Sequence, residues 1–186
     1  MASIRDFKYK LIKNFLTPEE TGLLKDYARI SHRINRENFD RSNVNLDSFF
    51  YGHAILDALL LQKWKPMEEK TGLKLLPTFC FLRIYTHLSD LVPHTDRPSC
   101  EISVTAMLGS CGTEWPIYME KNPINLEPGD GAIYLGCEVP HKRLPFKGDW
   151  HAQVFLHYVD ANGKYKDLVR DERPGWGYQK ELKPIV

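Results

Sequence analysis

The chain has 186 residues, 42% of them hydrophobic and 26% charged, the balance of a globular protein that can bury a core without disulfides or metals to hold it together. Its 25 basic and 24 acidic residues nearly cancel, which excludes a general nucleic-acid surface and leaves room only for a local basic patch. No run approaches the roughly 18 apolar residues of a membrane span, and the opening Met1-Ala2-Ser3-Ile4-Arg5-Asp6 lacks the apolar stretch of a secretory signal. The cysteines Cys80, Cys100, Cys111 and Cys137 show no C-x-x-C spacing. Reduced structural thiols, three of them inside strands, and a cytoplasmic location are expected.

In chain order, 9–16 reads as a short strand. Thr17-Pro18-Glu19-Glu20 then starts a helix, with Thr as N-cap, Pro at the first helical position and acids in the first turn; this helix is expected to reach about Ile30. The polar stretch 33–48, rich in Asn, reads as a surface loop. A second helix is expected over 50–70, with Ile55, Leu56, Leu59 and Leu60 on its apolar face and a kink or break near Lys65, before Pro66. From Leu75 the pattern changes to short apolar runs divided by turn residues. Strands are expected at 78–85, 91–94, 102–108, 115–120, 131–135, 138–143 and 151–159, in antiparallel order. Helices followed by closely spaced strands fit an α+β, mainly β fold in which helices cover one sheet of a sandwich or barrel.

His94-Thr95-Asp96 and the later His141 carry the chemistry. On a strand the side chains of i and i+2 share a face, so His94 and Asp96 would point the same way, and a third ligand must come from a neighbouring strand. Two imidazoles and one carboxylate can bind one face of an iron(II) ion and leave three positions open. An H-x-D alone says little. The context adds to it: a strand Phe79-Cys80-Phe81-Leu82-Arg83-Ile84-Tyr85 before it, a Glu127-Pro128-Gly129-Asp130-Gly131 turn before Val139-Pro140-His141, and a last strand Trp150 to Val159.

This order resembles the iron(II)/2-oxoglutarate-dependent oxygenases, in particular their prolyl-hydroxylase-like branch on the double-stranded β-helix (jelly-roll) fold. The likeness spans about 75–160, and Asn14-Phe15-Leu16-Thr17-Pro18-Glu19-Glu20 also looks like the start of many members. It implies one oxygenase domain over 1–186, with a helical part at 1–74, a jelly-roll core at 75–160 and a tail at 161–186. It further implies that His94, Asp96 and His141 bind Fe(II), and that Tyr85 faces the cosubstrate 2-oxoglutarate. Members usually place Arg or Lys about ten positions after the distal histidine, to pair with the far carboxylate of 2-oxoglutarate. This chain has His151 there. Three candidates stand for the anchor: His151 itself, as a donor; Arg143, two residues beyond His141 on the same strand face, as the charge; and Arg83, on the face of Tyr85.

The implied reaction consumes 2-oxoglutarate and O2, releases succinate and CO2, and hydroxylates an unactivated C–H bond of a small molecule or peptidyl side chain. Two alternatives stand beside it: a non-catalytic jelly-roll module that binds metal or a partner, and a cupin-type metalloenzyme that needs no 2-oxoglutarate. A structural metal site would close its shell with a fourth protein ligand. His157 is expected to be a packed, hydrogen-bonded core histidine, and His32, His53 and His87 are not expected to bind metal. Cys137 reads as a buried structural thiol. Arg97 is open between a solvated loop charge and a substrate contact.

Overall fold

The computed structural model describes residues 3–38 and 47–178. A single-turn helix α1 (Ile4–Phe7), capped by Ser3, leads into strand β1 (Tyr9–Ile12). Helix α2 (Pro18–Asn38) begins where expected. Thr17 N donates to Glu20 Oε2 at 2.8 Å and Glu20 N to Thr17 Oγ1 at 3.2 Å, a reciprocal cap that satisfies two otherwise orphaned donors.

Two expectations about the N-terminal half fail, and no break occurs at Pro66. Helix α2 does not stop near Ile30 but continues to Asn38, so 33–38 is helix rather than loop. No Gly or Pro stops it there, and His32 Nδ1 and Asn35 Nδ2 tie its last turns to Ser48 Oγ at 2.7 and 3.1 Å. The rest of that expected loop, 39–46, lies outside the described residues. The run at 48–51 is not helix: strand β2 (Ser48–Tyr51) pairs antiparallel with the next strand, and α3 (Ala54–Thr71) starts only after it. Helix α3 also runs through Pro66 unbroken. Proline removes one hydrogen bond there, but Leu59, Leu60, Lys63 and Met67, buried before and after it, hold both halves. Gly72, at φ 70°, ends the helix in the left-handed conformation that favours glycine.

The remaining strands are β3 (Leu75–Thr86), β4 (Leu91–His94), β5 (Ile102–Ser110), β6 (Ile117–Met119), β7 (Asn122–Ile124), β8 (Gly131–Leu135), β9 (His141–Arg143) and β10 (Trp150–Asp160). They form two antiparallel sheets, a major one ordered β1-β8-β5-β10-β3-β2 and a minor one ordered β4-β9-β6-β7. This is the expected jelly roll. β7 was not anticipated, and β6 and β9 are shorter than the sequence suggested.

Side-chain alternation assigns the two faces of the major sheet separate tasks. Cys80, Leu82, Ile84, Val104, Ala106, Ile133, Val154, Leu156 and Tyr158 point to one side and are buried beneath α2 and α3. Tyr158 O–H donates to the Leu60 carbonyl at 2.8 Å, fastening α3 to β10. The opposite face carries Phe79, Phe81, Arg83, Tyr85, Ser103, Thr105, Tyr134, His151, Gln153, Phe155 and His157, as the cross-strand register requires. That polar and aromatic face looks toward the minor sheet.

The four thiols are unpaired. Only Cys80 lies in a strand; Cys111 is exposed and Cys137 half-buried, against the expectation of three strand cysteines and a buried Cys137. No helix among the described residues is long and apolar enough to cross a membrane.

The tail is tied down. A 3-10 segment, Lys166–Glu172, contains three successive non-glycine residues at positive φ: Arg170 (60°), Asp171 (53°) and Glu172 (62°). Such conformations persist only where surrounding contacts enforce them. Here Arg173 donates to both carboxylate oxygens of buried Asp57, at 2.7 and 3.0 Å, and Asp171 is held by Arg97.

Candidate metal and cosubstrate site

His94 and His141 are cross-strand partners in the β4–β9 pair, with ring centroids 4.3 Å apart. Asp96 reaches them by a route the sequence reading did not foresee. It lies beyond the end of β4 in an irregular segment, so strand alternation does not orient it. Instead its N–H donates to the Gly136 carbonyl at 2.8 Å, bringing the carboxylate back between the imidazoles. The ligating atoms of His94, Asp96 and His141 all lie within 4.8 Å of one another, close enough to hold a metal ion.

The details fit a cation. The Nδ1 of each histidine faces the backbone carbonyl two residues earlier, Val92 at 2.8 Å and Val139 at 3.0 Å. An Nδ1–H donated there leaves each Nε2 with a free lone pair. Both Nε2 atoms stand 3.5 Å from Asp96 Oδ1, longer than the 2.7–2.9 Å typical of a charge-assisted hydrogen bond. Asp96 Oδ2 is buried with no partner. Burial alone would raise the Asp96 pKa, but His141 and His94 outweigh it and hold the carboxyl well below its usual range. The same contact with Asp96 raises the pKa of His94 against its burial.

Gly136 is part of this site although no motif marked it. A Cβ there would overlap the Cys100 carbonyl oxygen and fall 2.7 Å from Asp96 Oδ2. Asp96 also belongs to a second group, with Cys100 and His157, whose ligating atoms lie within 4.8 Å of one another. His157 is packed and bonded as expected: its Nδ1 lies 2.8 Å from Ser103 Oγ and its ring 4.4 Å from that of Phe79. Burial lowers its pKa to about 4.

Arg143, two residues along β9 from His141, is buried and stacks on Trp115 at 4.6 Å. One of its nitrogens donates to the Trp115 carbonyl. Gln153 must turn its amide oxygen toward Arg143: it then accepts from Arg143 Nη2 at 2.9 Å and from His151 Nε2 at 2.8 Å, while its nitrogen donates to Thr105 and Ala106. The opposite orientation would set N–H against N–H. Among the described residues no carboxylate pairs with Arg143. Burial lowers its pKa to about 10, which leaves it charged at neutral pH.

His151 is likewise buried. Desolvation, and then the charge of Arg143, push its pKa well below the usual histidine value, so it is neutral. With its Nε2–H given to Gln153, the remaining Nδ1 is an acceptor, and it has no partner. This arrangement differs from the expected donor. Tyr85 lies opposite His151 across β3 and β10, edge-on to Trp115 at 4.8 Å. Its burial raises its pKa and keeps the hydroxyl protonated. Arg83, the third candidate, spends its charge on Asp47, with Nε at 3.0 Å, and lies over the Tyr85 ring at 4.1 Å.

Arg97, half-exposed to solvent, is paired: both terminal nitrogens bind Asp171, at 2.6 and 2.7 Å. Tyr51 O–H also donates to Asp171. Nothing in the sequence of the tail marked Asp171, because its partners lie 74 and 120 residues away.

No family model and no curated protein matches the sequence. Solved structures do. The viral collagen prolyl hydroxylase of Paramecium Bursaria Chlorella virus-1, solved as a 2OG complex, is 15% identical over 81% of this chain and 94% of that one, with a TM-score of 0.61. A Trichoplax adhaerens prolyl hydroxylase, in complex with a hypoxia inducible factor peptide fragment, is 15% identical over 89% and 88%, with a TM-score of 0.61. The non-heme alpha ketoglutarate dependent epimerase SnoN from nogalamycin biosynthesis is 12% identical over 85% and 80%, with a TM-score of 0.67. The chain therefore has the jelly-roll fold found in 2-oxoglutarate/iron(II) oxygenases, prolyl hydroxylases among them.

Proposed function

We propose that the protein is an iron(II)- and 2-oxoglutarate-dependent dioxygenase that hydroxylates a C–H bond of an organic substrate. One observation carries the reading: two imidazole lone pairs and a carboxylate converge on one point, and a buried arginine, with no acidic partner among the described residues, stands two residues further along the same strand. That separation is roughly 6.4–6.8 Å of backbone, a fitting length for a short dicarboxylate with one end at the metal and the other at Arg143.

His94, Asp96 and His141 would hold the iron. Iron bound there would activate O2, the oxidant, whose two oxygen atoms end in R–OH and in succinate as 2-oxoglutarate loses CO2. Arg143 neutralises the far carboxylate, and Gln153 fixes the guanidinium by accepting from it. Tyr85, held protonated, would donate to the same carboxylate. His151 fills the floor as a neutral group; its Nε2–H is spent on Gln153, so Arg143 rather than His151 is the anchor. Trp115, Phe146 and Tyr85 form an apolar cluster that keeps water from this end of the site.

The test is anaerobic addition of iron(II) and then 2-oxoglutarate, followed by visible absorption and, after oxygen is admitted, succinate. A new visible band that requires both additions, with succinate formed afterwards and neither seen in His141→Ala, supports the proposal. Tight metal binding without any effect of 2-oxoglutarate would favour the metal-binding module or the cupin-type enzyme instead.

A further inference from the structure

We infer that the substrate is a neutral, apolar small molecule that lays a ring against an aromatic platform beside His94, Asp96 and His141; this rests on the oxygenase reading above. The platform is the part of the inward face of the major sheet that the cosubstrate anchor does not use. Along β10 the inward residues run His151, Gln153, Phe155, His157, and along β3 they run Tyr85, Arg83, Phe81, Phe79. The anchor takes the first end. At the other end a ligating atom of His157 lies within 4.8 Å of that of Asp96, so Phe79, packed on His157 at 4.4 Å, marks the metal end of this face, with Phe81 next along the strand.

Strand β2 extends the surface with Phe49 and Tyr51. Phe49 stacks on Phe81 (5.9 Å, 27°), Phe81 meets Phe155 at 5.7 Å, and Tyr51 meets Phe79 at 5.0 Å. Phe81 and Phe155 are only half-buried, and Phe49 is 54% exposed. Contiguous apolar surface left open beside a reactive centre indicates what is meant to cover it.

The charges around the platform fix the sign of the ligand, which is none. Arg83 is paired with Asp47 and Arg97 with Asp171, while Tyr51 gives its O–H to Asp171. A carboxylate or ammonium laid on these rings would lose its hydration and gain no unpaired counter-charge among the described residues. A peptide would add an amide N–H at every residue, and the acceptors flanking the rings are already engaged, Asp47 by Arg83, Thr86 and Ser89 and Asp171 by Arg97 and Tyr51. The outer edge of β2, unpaired among the described residues, presents its backbone groups in the plane of the sheet rather than over the rings. A neutral ring incurs neither loss.

The experiment compares four probes that share one phenyl group: phenylpropanol, phenylpropionate, phenylalanine and N-acetylphenylalanine N-methylamide. Dissociation constants are measured by ligand-observed NMR on the zinc(II)-loaded full chain with 2-oxoglutarate present, so no turnover is involved. Phenylpropanol should bind at least about tenfold more tightly than either charged probe, the equivalent of about 1.4 kcal/mol. Phe49→Ala and Phe81→Ala should each weaken it severalfold. Phe81→Arg should turn the preference toward phenylpropionate. Because Phe49 is largely exposed, its variant keeps the test valid if Phe81→Ala fails to fold.

Equal or tighter binding of a charged probe, tighter binding of the blocked peptide, unchanged affinity in Phe49→Ala, or no binding of any probe would overturn the inference. Succinate release reports on the oxygenase reading separately. If it is absent while the probe order holds, the oxygenase reading is at fault; if it is present while the order is lost, the platform inference is.

Discussion

Asp96 is useful as a metal ligand only because glycine stands at 136. The carbonyl of Gly136 accepts from Asp96 N, and its missing side chain leaves the space the carboxylate occupies. Gly136→Ala should therefore weaken metal binding by tenfold or more, measured by equilibrium dialysis with iron(II) or zinc(II), while far-UV circular dichroism stays unchanged; parental affinity in the variant would refute this. Arg143 and His151 can be separated by pH. Losing a charge-assisted hydrogen bond costs about 1.5–3 kcal/mol, or roughly ten- to a hundredfold in affinity, so Arg143→Gln should raise the Kd for 2-oxoglutarate by that factor. His151→Gln should change it far less. Since burial keeps His151 neutral and Arg143 stays charged, wild-type affinity should be flat from pH 6 to 8. A decline between pH 6 and 7 would return the charge to His151. At this scale the triad was legible as residue types at a spacing. The reason first given for it was not right, since Asp96 is turned by a backbone hydrogen bond and not by strand pleat. Gly136 and Gln153 were not legible, because their value lies in contacts with residues distant in the chain.

Among the elements, helix starts were readable and helix ends were not. Thr17-Pro18 is a local signal, complete within four residues. The extent of α2 depends on Ser48, and the nature of 48–51 depends on pairing with β3, which no local pattern in Ser-Phe-Phe-Tyr records. The tail was the least readable element, and its placement is electrostatic. Asp171 accepts from Arg97 and Tyr51, and although burial opposes ionisation, these donors lower its pKa from 3.8 to about 2. A carboxyl whose folded pKa is depressed stabilises the fold fully above its unfolded pKa, and loses that contribution as pH falls through the folded value. Asp171→Asn should cost about 1–2 kcal/mol at pH 7, the larger figure being reduced because Arg97 is half-exposed to solvent. In urea melts, the gap between parent and variant should narrow as pH is lowered from 4 toward 2. A gap that does not change with pH would mean that Asp171 acts through packing instead of charge.

At the scale of the whole molecule, mainly β composition with helices covering one sheet was evident from the order of periodicities, and the structure agrees. The strand order within the sheets was not evident. β1 and β2, from before Leu75, form the two edges of the major sheet, and β10, the last strand, occupies a place inside it between β5 and β3. That position has a kinetic consequence. As the chain leaves the ribosome, β2–β3 and β1–β8–β5 can each pair, but β3 and β5 keep unsatisfied edges facing a gap until the stretch Trp150–Asp160 arrives to fill it. Pairs such as Tyr9 with Tyr134 add contacts between residues far apart in sequence. Chains dominated by such contacts fold in milliseconds to seconds, and open strand edges invite association in the meantime. Refolding from urea should thus be slow on this scale, with a yield that drops as protein concentration rises. Adding the separate peptide 150–160 to a chain that ends at 149 should reduce the aggregation; if it does not, insertion of the last strand is not the step that closes the sheet.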